Sequence, residues 1–338
     1  MTSAIRFDHL VAMTDRIGTF EHAEHAVPRR EHGYCVDDVA RVLVVATRER
    51  TPGEAVRSLA QGSLSFISES MGPRGDIRNR RDADGTWSSD YCVEDCWGRS
   101  LWGLGTAAAS NQFAVAGSAR SLFERSAVLR SQYPRAMAFA VLGAAALLSV
   151  DPTNEVALRL VNDAAASFLL GEDNLAWPWP ERRLAYANAL LPDAMMAAGT
   201  VLERPELVER GLLLLGWLLE RETRDGHLSI TPVDGSGPGD LGPRFDQQPI
   251  EVSTLADACA RASSLSVDDS SKWQEGIRMA NAWFDGDNDA KVIMWDPASG
   301  GGYDGLHATV ANLNQGAEST LALVSTRQHA LTHQTVST

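Results

Sequence analysis

Cysteine is scarce: four in 338 residues cannot make a disulfide framework. Cys92 and Cys96 are four apart, which is not the usual zinc-knuckle spacing. Cys35, Cys92, Cys96 and Cys259 therefore read as buried, reduced thiols, and no metal is expected. Basic residues are also in deficit. A net charge of −14 argues against nucleic acid, whose phosphates need a basic surface. No apolar run approaches the ~20 residues of a membrane span, so no membrane association is expected. The first residues, Met1 to Asp8, lack a basic region followed by an apolar stretch, which predicts a cytoplasmic protein. No glycine-rich phosphate loop follows a strand, and no Gly-x-Ser-x-Gly elbow occurs. Nucleotide-dependent phosphotransfer and serine hydrolase chemistry are thereby disfavoured, and no cofactor is expected.

What the chain has instead is helical periodicity. Candidate helices cover about 4–15, 36–50, 53–71, 92–110, 117–131, 135–150, 153–170, 184–202, 205–223, 249–264, 270–285 and 315–330. Pro52, Pro152, Pro205 and Pro249 mark starts, as proline does in a first turn. The even-numbered helices are apolar on nearly all sides, as in Ala136 to Ala146, and so are buried on all sides. The odd-numbered ones, such as Glu206 to Glu222, keep a polar face. Six inner and six outer helices in alternation describe an all-α (α/α)6 toroid. An open helical solenoid would also fit the period, but the long loops before the inner helices favour a closed ring with a mouth. No shift in composition marks a boundary, so residues 1–338 read as one domain, with His329 to Thr338 expected to fray.

The most specific feature is a repeated string, Tyr34-Cys35-Val36-Asp37-Asp38 and Tyr91-Cys92-Val93-Glu94-Asp95, each followed by an arginine, Arg41 and Arg99. Each copy opens an inner helix. Asp37, Asp38, Glu94 and Asp95 would cap helices and complement their dipoles, worth about 0.5–2 kcal/mol per cap. Doubled acids call for more, because like charges side by side repel and raise pKa. An arginine at helical spacing can hold one acid of each pair ionised.

Other polar and aromatic residues gather before the remaining inner helices. Trp177 and Trp179 precede Glu181 and are candidates for stacking on a sugar ring, with core filling as the competing role. Tyr186 and Asn188 follow on the next predicted helix. Gln247, Gln248 and Glu251 cluster at the tenth helix, and Asn312, Asn314, Gln315 and Glu318 at the last. Tyr303 and Asp304 end a glycine-rich stretch between them, and Gly235 to Asp240 form a loop suited to a lid or rim. Buried amides must find partners, either a polyhydroxylated ligand or a polar network joining the two ends of the ring. His22, His25 and His32 share a loop with Glu21 and Glu24, but their spacing fits no firm ligand pattern.

Gly33-Tyr34-Cys35-Val36-Asp37-Asp38-Val39-Ala40-Arg41 resembles the "GYCxDDxAR" signature of a bacterial toroid domain. Glu94-Asp95-Cys96-Trp97-Gly98-Arg99, Phe245 to Glu251 and Asn314 to Thr320 fit the same pattern. The resemblance covers nearly the whole chain. It implies an (α/α)6 glycoside-hydrolase-like domain, of a kind often fused to a glycosyltransferase. Val39 stands where asparagine is common and Ala187 where an acid is common, so the resemblance implies a thinner polar lining here.

The combined expectation is a glycoside hydrolase acting on a neutral oligosaccharide or glycoconjugate, with inversion favoured. Such chemistry needs one carboxylic acid to protonate the leaving oxygen and a carboxylate as base or nucleophile. Asp38, Asp95 and Glu251 are the expected catalytic acids. Asp37, Arg41, Glu94, Trp97, Arg99, Trp177, Trp179, Glu181, Tyr186, Asn188, Gln247, Gln248, Tyr303, Asp304, Asn314, Gln315 and Glu318 are the expected substrate contacts. A phosphorylase or lyase on the same scaffold is a close variant. A non-catalytic glycan-binding domain, or a partner of a glycosyltransferase, is the rival from another class.

Overall fold

The computed structural model describes residues 5–168, 176–265 and 270–336. Its helices are α1 Asp8–Ala12, α2 Val36–Arg48, α3 Glu54–Ser70, α4 Asp95–Ala109, α5 Ala116–Ser126, α6 Pro134–Leu148, α7 Glu155–Phe168, α8 Leu190–Val201, α9 Pro205–Arg221, α10 Pro249–Leu265, α11 Ser270–Phe284 and α12 Ala317–Val336. The even helices form a ring in which each packs on the next, and α12 closes it against α2. The odd helices lie outside, each against an inner partner: α3 on α2, α5 on α4, α7 on α6, α9 on α8, α11 on α10 and α1 on α12. This is the (α/α)6 toroid that the alternation of apolar and amphipathic helices called for.

The inner ring is tight because small residues let backbones meet. A Cβ on Gly105 of α4 would sit 2.0 Å from the Gly143 carbonyl oxygen of α6. Almost every residue of α6 is buried, as its composition requires. Proline opens α6, α9 and α10, where a missing N–H costs nothing. No helix of the described residues is long and apolar enough to cross a membrane.

Several boundaries differ from expectation, among them α4, which starts at Asp95 rather than 92, and α5, which ends at Ser126 rather than 131. Helix α1 is only five residues long, and position 4 of the expected helix lies outside the described residues. The seventh helix is observed to Phe168, with 169–170 outside the described residues. Helix α8 starts at Leu190 rather than 184, because Ala187 takes a left-handed backbone, φ 46°, which a helix cannot absorb. Helix α12 runs past His329 to Val336, with 337–338 outside the described residues, and His329 bonds the buried Asp257 of α10.

Short antiparallel ribbons, which periodicity did not predict, tie the loops at the mouth. Tyr34–Cys35 pairs with Arg80–Arg81, and Ile77–Arg78 pairs with Tyr91–Cys92. One long loop after α3 thereby links the starts of α2 and α4. The Gly235–Asp240 loop is tied to the side chains of its neighbours. Arg221 donates to Ser236 Oγ and to the carbonyls of Gly237 and Asp240, and Arg244 grips Asp240 at 3.0 Å.

Candidate active site

All inner helices begin at the same end of the ring, and there the structure holds a cavity of about 660 Å³. Its floor is the repeated string. Helix α2 delivers Asp37 and Asp38 from its first turn, α4 delivers Asp95, and Glu94 stands at its N-cap. Two arginines organise these acids. Arg41 Nη1 donates to Asp38 Oδ1 at 2.7 Å, and its Nη2 lies 2.7 Å from Glu318 Oε2 on α12. Arg99 Nη1 donates to Asp37 Oδ1 at 2.7 Å and lies 3.3 Å from Asp95 Oδ2. Arg99 also rests on the Phe139 ring, 4.6 Å away. Each guanidinium thus clamps two carboxylates from neighbouring inner helices.

The clamps leave the acids in different states. Asp38 is pushed up to about 7, first by burial and then by Glu318, Glu21 and Asp37, with Arg41 opposing. Asp37 is less enclosed, but burial alone would still raise it. Arg99, Arg41 and the Asn79 amide at 2.9 Å outweigh that and hold it below the usual carboxylate range. A carboxyl able to keep its proton near neutral pH therefore stands beside one that stays ionised. Asp95 accepts from the Tyr186 hydroxyl at 2.7 Å, which orients it towards the cavity. The Tyr186 phenol is raised, chiefly by burial and then by that bond. Asp304 is raised by burial although it accepts from Gly316 N at 2.7 Å and Ser319 Oγ at 2.5 Å.

Of the residues expected here, Asp37, Asp38, Arg41, Glu94, Asp95, Arg99, Tyr186, Gln248, Asp304 and Glu318 line the cavity. The remainder do not. Trp177 and Trp179 are buried against Trp217, with ring centroids 5.1 and 5.9 Å from it, so they fill core rather than offer a platform. Trp97 is wholly buried for the same reason. Glu181 is held by Arg135 in a two-pronged pair at 2.7 and 2.9 Å, away from the cavity. Glu251 sits beneath the site, accepting from Asn188 N at 3.1 Å and Asn188 Nδ2 at 3.0 Å, and from Ala187 N. Its place in the first turn of α10 faces it to the turn before α8, so both Glu251 and Asn188 are taken up as supports of that turn. Gln247 bonds Asp289 at 2.7 Å and the Arg244 carbonyl. Gln315 bonds Ser299 and Asp296, Asn314 accepts from His25 N at 3.0 Å, and Tyr303 packs on the core.

Glu21, His22, Cys35, Arg80, Tyr133, Asn312, Gly316 and Ser319 complete the wall, Asn312 joining Glu318 from the last polar group. Tyr133 was legible, because it directly precedes Pro134 at the start of an inner helix. Arg80 was not, because only the ribbon pairing with Cys35 carries it across to α2, where it bonds Glu21. Glu21, Cys35 and Asp38 bring donor atoms within 4.8 Å of one another. These three already have partners in Arg80, Asn79 and Arg41, and burial pushes the Cys35 thiol well up, which opposes its metal-binding form.

No protein-family model and no curated protein matches this chain. Solved structures do. A sugar epimerase from a ruminal bacterium aligns over 95% of each chain, at 12% identity and a TM-score of 0.71. A D-mannose isomerase aligns over 97% of this chain and 95% of its own, at 9% identity and 0.70. An alpha-amylase from Clostridium perfringens aligns over 97% and 98%, at 11% and 0.63. Identities this low speak for architecture alone, and the architecture shared across the full length of all three is the (α/α)6 toroid.

Proposed function

We propose that this protein is a carbohydrate-active enzyme that hydrolyses a glycosidic bond in a neutral oligosaccharide or glycoconjugate. The observation that carries the reading is the pair of arginine-clamped carboxylates in one cavity, with Asp38 retaining a proton near neutrality and Asp37 and Asp95 on the neighbouring clamp. In this reading Asp38 protonates the leaving oxygen. Asp95, oriented by Tyr186 and Arg99, removes a proton from the attacking water. The two acids come from different inner helices, and a water between them gives inversion, which goes with carboxyl separations of roughly 6.5–9.5 Å. The acidic wall disfavours a uronate substrate. Toroids of known carbohydrate enzymes support the substrate class.

Epimerisation or isomerisation of a free sugar is the second reading, favoured by the sugar epimerase and D-mannose isomerase likenesses and by His22 on the cavity wall. One experiment separates them. Purified protein is incubated with a panel of oligosaccharides and free sugars in deuterated water. Hydrolysis gives new reducing ends and no carbon-bound deuterium. Epimerisation through proton transfer at carbon gives carbon-bound deuterium and no new reducing ends. Saturable binding of a glycan with neither product would instead support the glycan-binding role, in which association with a glycosyltransferase is the natural setting.

A further inference from the structure

Cys92 and Cys96 flank Glu94 and Asp95, the two acids that α4 and its cap present to the cavity. Cys92 ends the ribbon strand Tyr91–Cys92, and Cys96 is the second residue of α4. Cys92 is therefore outside the helix. Glu94 at the N-cap is extended, φ −87° and ψ −159°, and the chain bends there so that Cys92 returns beside the first turn. The two sulfurs lie 3.5 Å apart. A disulfide needs about 2.0 Å, so closure has to bring the sulfurs about 1.5 Å nearer.

The pair is chemically asymmetric. Cys96 is buried, while Cys92 is partly open. The contact with Cys96 brings the Cys92 thiol down to about 7, against burial, while Cys96 is raised by the same contact. A partly exposed, thiolate-prone sulfur touching a second cysteine is the arrangement of an attacking and a resolving thiol. The other two cysteines lack it. Cys35 is buried against Asp37 and Asn79, and Cys259 is buried in α10 with its thiol pushed up to about 12.

We propose that Cys92 and Cys96 form a redox modification site, closed to an intrachain disulfide by a small-molecule disulfide such as oxidised glutathione. The Cys92 thiolate attacks one glutathione sulfur and expels the other as a thiolate. Cys96 gives its proton to solvent, and its sulfur attacks Cys92 and expels the second glutathione. Two protein thiols are oxidised and one glutathione disulfide is reduced to two thiols, so electrons and atoms balance. The bridge spans Val93, Glu94 and Asp95, and it fixes the segment on which the Asp95 contacts with Arg99 and Tyr186 depend. The site stands whether or not the cavity hydrolyses glycosides.

The test is oxidation of the full, reduced protein with oxidised glutathione, followed by intact mass and peptide mapping. The expected wild-type product has lost two hydrogens and maps to Cys92–Cys96, with Cys35 and Cys259 still free. Cys96→Ala should stop at a glutathione adduct on Cys92, and Cys92→Ser should react no faster than its buried thiols allow. The wild-type map decides the matter even if Cys96→Ala fails to fold. A wild-type protein that accumulates the mixed disulfide without resolving it, or that links either cysteine to Cys35, overturns the proposal, as does equal oxidation of Cys92→Ser.

Discussion

Replacing Glu251 with glutamine tests whether this acid supports the site rather than acting in it. The Glu251 carboxyl has two oxygens, one accepting from Ala187 N and the other from Asn188 N and Nδ2. An amide offers only one acceptor. Its best orientation keeps the oxygen on Asn188 and turns NH₂ towards the Ala187 N–H, leaving a buried donor unmet at about 1–3 kcal/mol. Ala187 already holds a left-handed backbone, so this turn has little slack. A second effect runs the other way. Burial, and then Glu222, raise the folded Glu251 carboxyl from 4.5 to about 8. The folded state then binds more proton than the unfolded chain, so wild-type stability is fullest below pH 4.5 and declines as pH rises towards 8. At about 1.4 kcal/mol per pH unit the decline reaches ~5 kcal/mol at most. Glutamine does not titrate and escapes it. Glu222, itself raised to about 7, remains in both proteins and contributes the same slope to each. Glu251→Gln should therefore melt lower than wild type at about pH 5 and draw level with it, or pass it, by about pH 8. A chain of this size moves roughly 2–3 °C per kcal/mol, so calorimetric melting curves across that range resolve the crossing. A deficit that stays constant or widens as pH rises would refute the reasoning.

Asp38→Asn should leave the fold intact and cut turnover by ~10²–10⁴, the usual worth of a positioned general acid, read as release of reducing sugar. Proton NMR of the first-formed anomer should show inversion; retention of configuration would put a carboxylate within about 5–5.5 Å of the acid and point to a covalent intermediate. Trp179→Ala should cost about 3–5 kcal/mol of stability through the cavity it leaves against Trp217, with saccharide affinity per folded molecule unchanged. Tyr186→Phe should keep stability within about 1 kcal/mol, since its hydroxyl bonds an acid at the open cavity, yet lower kcat more than it alters KM.

The sequence by itself determined the ring. Apolar-all-round helices such as α6 can only be interior, and one-faced helices such as α9 can only cover them, so the alternation follows from burial alone. It determined the cavity floor too, because Asp37, Asp38, Glu94 and Asp95 sit in or just before first turns, and a toroid sets those turns at one end. What burial pattern cannot tell is which polar residue finds a protein partner first. Only the packing decided that Arg135 takes Glu181, that the turn at Ala187 and Asn188 takes Glu251, and that Trp177 and Trp179 turn inward to Trp217. It was likewise tertiary structure that brought Arg80 and Glu21 to the wall and raised the Asp38 carboxyl. Those outcomes depend on contacts between segments far apart in the chain, and on the loss of water around them, which no local pattern records.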